Sequence, residues 1–107
     1  MEIEKIYRHG DVILYKLASA KNDKKGVVSK ETILEHGEVT GHAHRLSGEI
    51  EILEERKEQK EMIFNVLDRA VLTHEEHNRI VLERGTYLKV SQVEYNPFED
   101  AIRWIRD

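Results

Sequence analysis

The chain has 107 residues, 36% of them charged and 39% hydrophobic, with a formal net charge of -4. That length supports one hydrophobic core and one domain, 1–107, and the acidic balance gives no general attraction to nucleic acid, so no nucleic-acid partner is expected. With no cysteine, disulfide frameworks and thiolate metal sites are excluded, and any metal must be held by nitrogen and oxygen.

In chain order the sequence reads mostly as short strands. Residues 3–7 and 11–17 alternate or are continuously apolar about Gly10, which predicts one bent strand or two strands around a bulge, with His9 at the bend. The N-terminal MEIEKIYRHGD is charged throughout, unlike a signal peptide, and no apolar run approaches the roughly 20 residues that span a bilayer. A cytoplasmic protein without a membrane partner is the expectation, and the high Lys and Glu content without Cys suits a thermophile. Residues 18–26 are polar, lysine-rich and closed by Gly26, marking a solvated connection, whereas 27–35, with Val27, Thr32 and Ile33, predict a strand.

That strand leads into EHGEVTGHAHRLSGE, residues 35–49, which holds three histidines, three glycines and three carboxylates. On a strand, residues two apart share a face and lie roughly 6.6 Å apart at about 3.3 Å per residue, so the imidazoles of His42 and His44 can turn to one ion. Further ligands would come from Glu49, from His36, or from His74 and His77 in LTHEEHN. Imidazole with carboxylate accommodates zinc, iron, manganese, nickel or copper, so a divalent metal is the expected cofactor without its identity being fixed. Thr40 and Gly41 shape the turn before the pair, and Glu38, Glu75 and Glu76 are read as solvent-facing groups or partners that orient a histidine.

Ser47-Gly48 predicts a tight hairpin between 43–46 and 49–53, and EERKEQKE at 54–61 a solvated tip. The β-branched content of MIFNVLDRAVLTHEEH favours strands with a turn near Asp68, and Glu83-Arg84-Gly85 predicts another hairpin between 80–82 and 86–95. Asn96, Pro97 and Glu99 form an N-cap, a first-turn proline and a third-position carboxylate. Phe98, Ala101, Ile102 and Ile105 follow at helical spacing, predicting a short helix that covers an apolar opening, with Trp104 as core or lid. The fold class expected is mainly β, a small antiparallel barrel or sandwich with a short C-terminal helix.

Gly37, four residues, His42-Ala43-His44, four residues and Glu49 resemble the first signature of the cupins. The resemblance implies a small β-barrel with a metal inside, His42, His44 and Glu49 as three of its ligands, and a fourth from a histidine nearer the C-terminus. The segment His74-Glu75-Glu76-His77-Asn78 offers that histidine with a nearby asparagine, while the proline and glycine that precede it in cupins have no counterpart here. EHGEVTGHAH, THEEHN, GTYLKV and EYNP are also similar to segments of small uncharacterised prokaryotic and viral proteins.

Three functions from different classes are compatible with these residues. The first is a metal-binding cupin-like barrel that binds or acts on a small molecule. The second is a metal-free phosphodiesterase or nuclease, with His42 or His44 and His74 or His77 as acid and base. The third is a non-catalytic binding or assembly module whose histidines are structural. A homodimer is compatible with all three. No nucleophilic elbow, phosphate loop or cysteine nucleophile points to another enzyme class.

Overall fold

The structure, a computed structural model, describes residues 2–18, 26–36 and 41–91. Its strands are β1 (Ile3–His9), β2 (Val12–Leu17), β3 (Val27–His36), β4 (Ala43–Arg56), β5 (Glu61–His74) and β6 (His77–Ser91). They form one open sheet in the order β1-β2-β6-β5-β4-β3, with every neighbouring pair antiparallel. The mainly β, antiparallel class follows the sequence reading. The expected C-terminal helix, with Phe98, Ile102, Trp104 and Ile105, lies outside the described residues, as does most of the lysine-rich connection.

Three breaks expected as turns are instead irregularities inside long strands. Ser47-Gly48 lies within β4, Asp68 within β5 and Glu83-Arg84-Gly85 within β6. Gly48 is required for close approach rather than for a hairpin. Its φ is +144°, and a Cβ there would meet the Arg69 carbonyl oxygen at 2.3 Å. In β5 the register shifts between Val66 and Arg69, opposite Gly85 and Glu83, and in β4 it shifts between Gly48 and Ile50. Because β4, β5 and β6 are neighbours, these bulges form a row across the sheet, and bulges bend strands and sharpen their twist.

The bend folds the sheet over on itself, as β6 demonstrates. Ser91 pairs with Val12 beside the β1–β2 turn, yet the Asn78 carbonyl, 13 residues earlier, accepts a hydrogen bond from His9 in the same hairpin. A straight strand would separate those points by roughly 43 Å at about 3.3 Å per residue. The interior between the halves holds Val12, Leu14, Phe64 and Tyr87 from one side and Leu34, Leu46, Leu72 and Leu82 from the other. Phe64 and Tyr87 stack with ring centres 5.5 Å apart. Strand alternation carries Ile63, Leu88 and Val90 to the opposite face, where they form a second buried cluster with Tyr15 and Leu17.

The first two strands are a hairpin rather than one bent strand. His9 pairs with Val12 across Gly10-Asp11, and Gly10 has φ +62°, the positive value that a two-residue turn with glycine at its first central position requires. The charged run ends in a turn over 57–60, but its last member, Glu61, is buried and lies 3.8 Å from Arg56 Nη1. No helix among the described residues is long and apolar enough to cross a membrane.

Candidate functional site

Three chain segments deliver histidines to one end of the folded sheet. His9 closes β1 immediately before the Gly10-Asp11 turn, and His44 is the second residue of β4, with His42 just ahead of it. His74 and His77 bracket the two-residue turn between β5 and β6 as direct cross-strand partners, which places their ring centres 4.7 Å apart. The turn is tied to β4 because the Ala43 amide donates to Glu75 Oε1 at 2.9 Å, and that bond holds the Glu75 carboxyl below its usual pKa.

The rings form a continuous cluster. His44 lies 4.3 Å from His74, 5.0 Å from His9 and 5.8 Å from His77, centre to centre, and His42 lies 5.7 Å from His74. His9 and His44 are buried, His42 and His74 partly buried, and His77 exposed, so the cluster runs from the interior to solvent. His9 Nδ1 is 2.8 Å from His44 Nδ1, and His9 Nε2 is 3.0 Å from the Asn78 carbonyl oxygen. His74 Nδ1 accepts the Glu76 amide hydrogen at 3.0 Å, and His42 Nδ1 is 3.9 Å from Glu76 Oε1. Gly10 leaves room for the cluster, since a Cβ there would stand 2.6 Å from His77 Nε2 and 3.2 Å from His44 Cε1.

Burial and the surrounding imidazoles of His74, His9 and His77 push His44 down to about 4, against a smaller upward pull from Glu35. Burial lowers His9 as well, opposed by its bond to Asn78. Both rings are therefore neutral at physiological pH, the form that can donate a lone pair to a metal.

Of the expected site residues, the structure brings together His42, His44, His74 and His77 but not Glu49 or His36. Glu49 is exposed in the bulge row, five residues and roughly 16 Å of strand beyond His44 at about 3.3 Å per residue. His36 is exposed at the end of β3, opposite Ala43. His9, which the sequence reading left at a bend, is a full member. Its only signal was its place beside a glycine turn, because no spacing connects it to histidines more than 30 residues away. Among the described residues, no three histidine, aspartate or glutamate side chains are arranged to hold a metal ion as they stand.

A second polar group bridges the folded sheet nearby. The buried Lys89 amine donates to the Lys60 carbonyl at 2.8 Å and to Ser91 Oγ at 3.0 Å, and it lies 3.6 Å from Glu35 Oε1. Ser91 donates its hydroxyl hydrogen to the same Glu35 oxygen. Burial lowers the Lys89 pKa, and Glu35 opposes the shift. Lys89 and Glu35 line a cleft of 320 Å3 with Ile33, Leu34, Lys60 and Met62. Glu35 also pairs with His44 between β3 and β4, so it adjoins both groups.

Fold and site together define a small antiparallel β domain whose folded-over sheet gathers histidines from three segments at one end. The chain belongs to a domain family of unknown function, DUF8820, whose model matches residues 8–92 and so takes in all six histidines as well as Glu35, Lys89 and Ser91. No curated protein and no solved structure matches it.

Proposed function

We propose that this protein binds a divalent transition metal at the histidine cluster, with His44 as the innermost ligand, His77 and His42 completing the donor set from the solvent side, and His74 beside them. The observation that carries this reading is the convergence of five imidazoles from three chain segments. Neutral nitrogen donors without thiolate suit zinc, nickel, copper or iron. The ligand geometry needs the outer rings to change χ1 well and turn about their broad χ2 torsion, which the exposure of His77 and partial exposure of His42 and His74 leave open. The cupin-like barrel belongs to the same proposal, supported by the Gly37 to Glu49 pattern and the folded-over antiparallel sheet. The cleft beside Glu35 provides room for a small-molecule ligand, and a cysteine-free chain suits a reducing cytoplasm.

Metal-free phosphodiester hydrolysis is the second reading. It is favoured by the direct contact of His44 with His74, but a base near 4 has little proton affinity to contribute at neutral pH, where general-base work wants a value near the working pH. Isothermal titration with zinc, nickel, manganese and iron(II) tests the metal reading on wild type and on the His42→Ala, His44→Ala, His74→Ala and His77→Ala variants. Binding that is abolished in His44→Ala and weakened in His77→Ala and His42→Ala is expected. Equal behaviour of wild type and a His44→Ala, His77→Ala double variant towards all four ions would end the metal reading and leave a binding or assembly module.

A further inference from the structure

We propose that His9 is a positioning residue that fixes His44 as the tautomer protonated at Nδ1, so that His44 is left with an unprotonated Nε2. The use assigned to that lone pair rests on the metal reading, but the tautomer itself does not.

The assignment follows from donors and acceptors. The Asn78 carbonyl can only accept, so His9 Nε2, 3.0 Å away, carries a hydrogen. At 2.8 Å, one of the facing Nδ1 atoms of His9 and His44 must be bare. In a neutral His9 protonated at Nε2, the bare atom is Nδ1, so the bond runs from His44 Nδ1 to His9 Nδ1. The reverse direction would require His9 to be a cation buried among other imidazoles, and a buried cation without a paired anion is costly. Protons therefore point in sequence from His44 to His9 to the Asn78 carbonyl. This is the outer-shell arrangement that orients a metal-binding histidine, with a second imidazole in the place usually taken by a carboxylate or carbonyl.

His74 is set the opposite way. Its Nδ1 accepts the Glu76 amide hydrogen, so neutral His74 carries its own hydrogen on Nε2. Two rings in contact thus present unlike groups, a lone pair from His44 and a donor from His74. The ligand class that matches both at once is a metal ion carrying an oxygen, either water or a carboxylate, with the metal on His44 and the oxygen accepting from His74.

Two-bond nitrogen–proton correlation spectra of the metal-free protein, labelled with 15N in its histidine rings, test the assignment directly. The expected pattern is hydrogen on Nδ1 in His44 and on Nε2 in His9 and His74. In His9→Asn the side-chain carbonyl accepts in place of the ring, and His44 keeps its tautomer. In His9→Leu, His44 populates the form protonated at Nε2, and zinc affinity falls 10- to 100-fold, the usual consequence of losing an orienting partner. Wild-type His44 protonated at Nε2, or a tautomer unchanged in His9→Leu, overturns the proposal. The wild-type spectrum is decisive even if a variant fails to fold. The expected tautomers without zinc binding would uphold the His9 assignment while removing the metal reading.

Discussion

The folded sheet is bridged by two buried polar groups that differ in where their hydrogen bonds end. Around Lys89 the bonds terminate on the protein: the amine reaches Lys60 and Ser91, and Glu35 takes the serine hydroxyl while balancing the charge. Around His44 the chain of donors also terminates, at Asn78, but only on the Nδ1 side of the ring, and its remaining ring contacts are with imidazoles that continue to solvent. The first arrangement is closed within the protein, whereas the second leaves one side of the His44 ring for the ligand proposed above. Burial alone therefore does not tell the two groups apart.

The sharpest way to break this comparison is to remove the lysine. Lys89→Met keeps the apolar stem but leaves Glu35 without its cation, and breaking a buried pair from one side typically costs about 3–5 kcal/mol. Urea unfolding of Lys89→Met should show a loss of that order, with much of it recovered in Lys89→Met, Glu35→Gln. A single variant as stable as wild type would mean that the network is not what holds the halves together. The bulge row is the next most sensitive feature. Gly48→Ala forces a Cβ against the Arg69 carbonyl and should cost about 1–3 kcal/mol by overpacking. The same substitution at Gly41, where a Cβ would meet nothing within 4 Å, carries only the backbone cost of its positive φ.

These positions explain what was legible in the sequence. Strand alternation and β-branched content give the mainly β class, but in GTYLKVS the apolar Leu88 and Val90 alternate with Lys89 and Ser91, a pattern that points the lysine to solvent, and only the fold-over buries both faces. Glycines reported real local events at Gly48 and Gly85. A glycine admitting a close neighbour looks the same in sequence as one ending a strand, and this ambiguity turned two bulges into expected hairpins, while the turn expected near Asp68 had no glycine behind it. The nearness in the chain of His42 to His44 and of His74 to His77 was visible because each is local, and in the structure His42 and His44 both approach His74. His9 was not, because only the fold-over brings the β1–β2 turn against the β5–β6 turn.

Acid separates the two polar groups in a different way. An ordinary histidine has a pKa of 6.5, and His44 in the folded protein is held near 4, with His9 also lowered. Above 6.5 neither state gains a proton, so pH leaves the histidine contribution intact. As pH falls from 6.5 towards 4, the unfolded chain takes up protons that the folded one refuses, and stability declines by at most about 1.4 kcal/mol per pH unit for each such group. Glu75 adds to the decline only below about its ordinary 4.5, so the interval from 6.5 to 4.5 isolates the histidines from it. Urea midpoints across that interval should fall in wild type and fall less steeply in His44→Asn, where only the His9 contribution remains. An equally steep fall in the variant would show that the protons are taken up elsewhere. Burial lowers Lys89 from its ordinary 10.5, so its own contribution starts to be lost on the alkaline side, as pH falls through that value.

Among variants that touch the histidine cluster, the smallest expected effect on stability is at Gly10, and it sharpens the contrast most cleanly. Gly10→Ala places a left-handed backbone position under a side chain, which costs about 1 kcal/mol, and its Cβ would stand 2.6 Å from His77 Nε2. His77 is exposed, so its ring can swing aside, whereas His44, buried and bonded to His9, cannot move as freely from a contact of 3.2 Å. The variant should therefore unfold only slightly earlier than wild type and keep the Lys89 network, read as an unchanged Lys89 amine signal, while its His77 and His44 ring resonances shift. Zinc titration should weaken by more than the stability change implies, because the displaced ring is one of the proposed ligands. A Gly10→Ala protein with unaltered histidine resonances would show that the β1–β2 turn does not shape the cluster and would limit its contribution to His9.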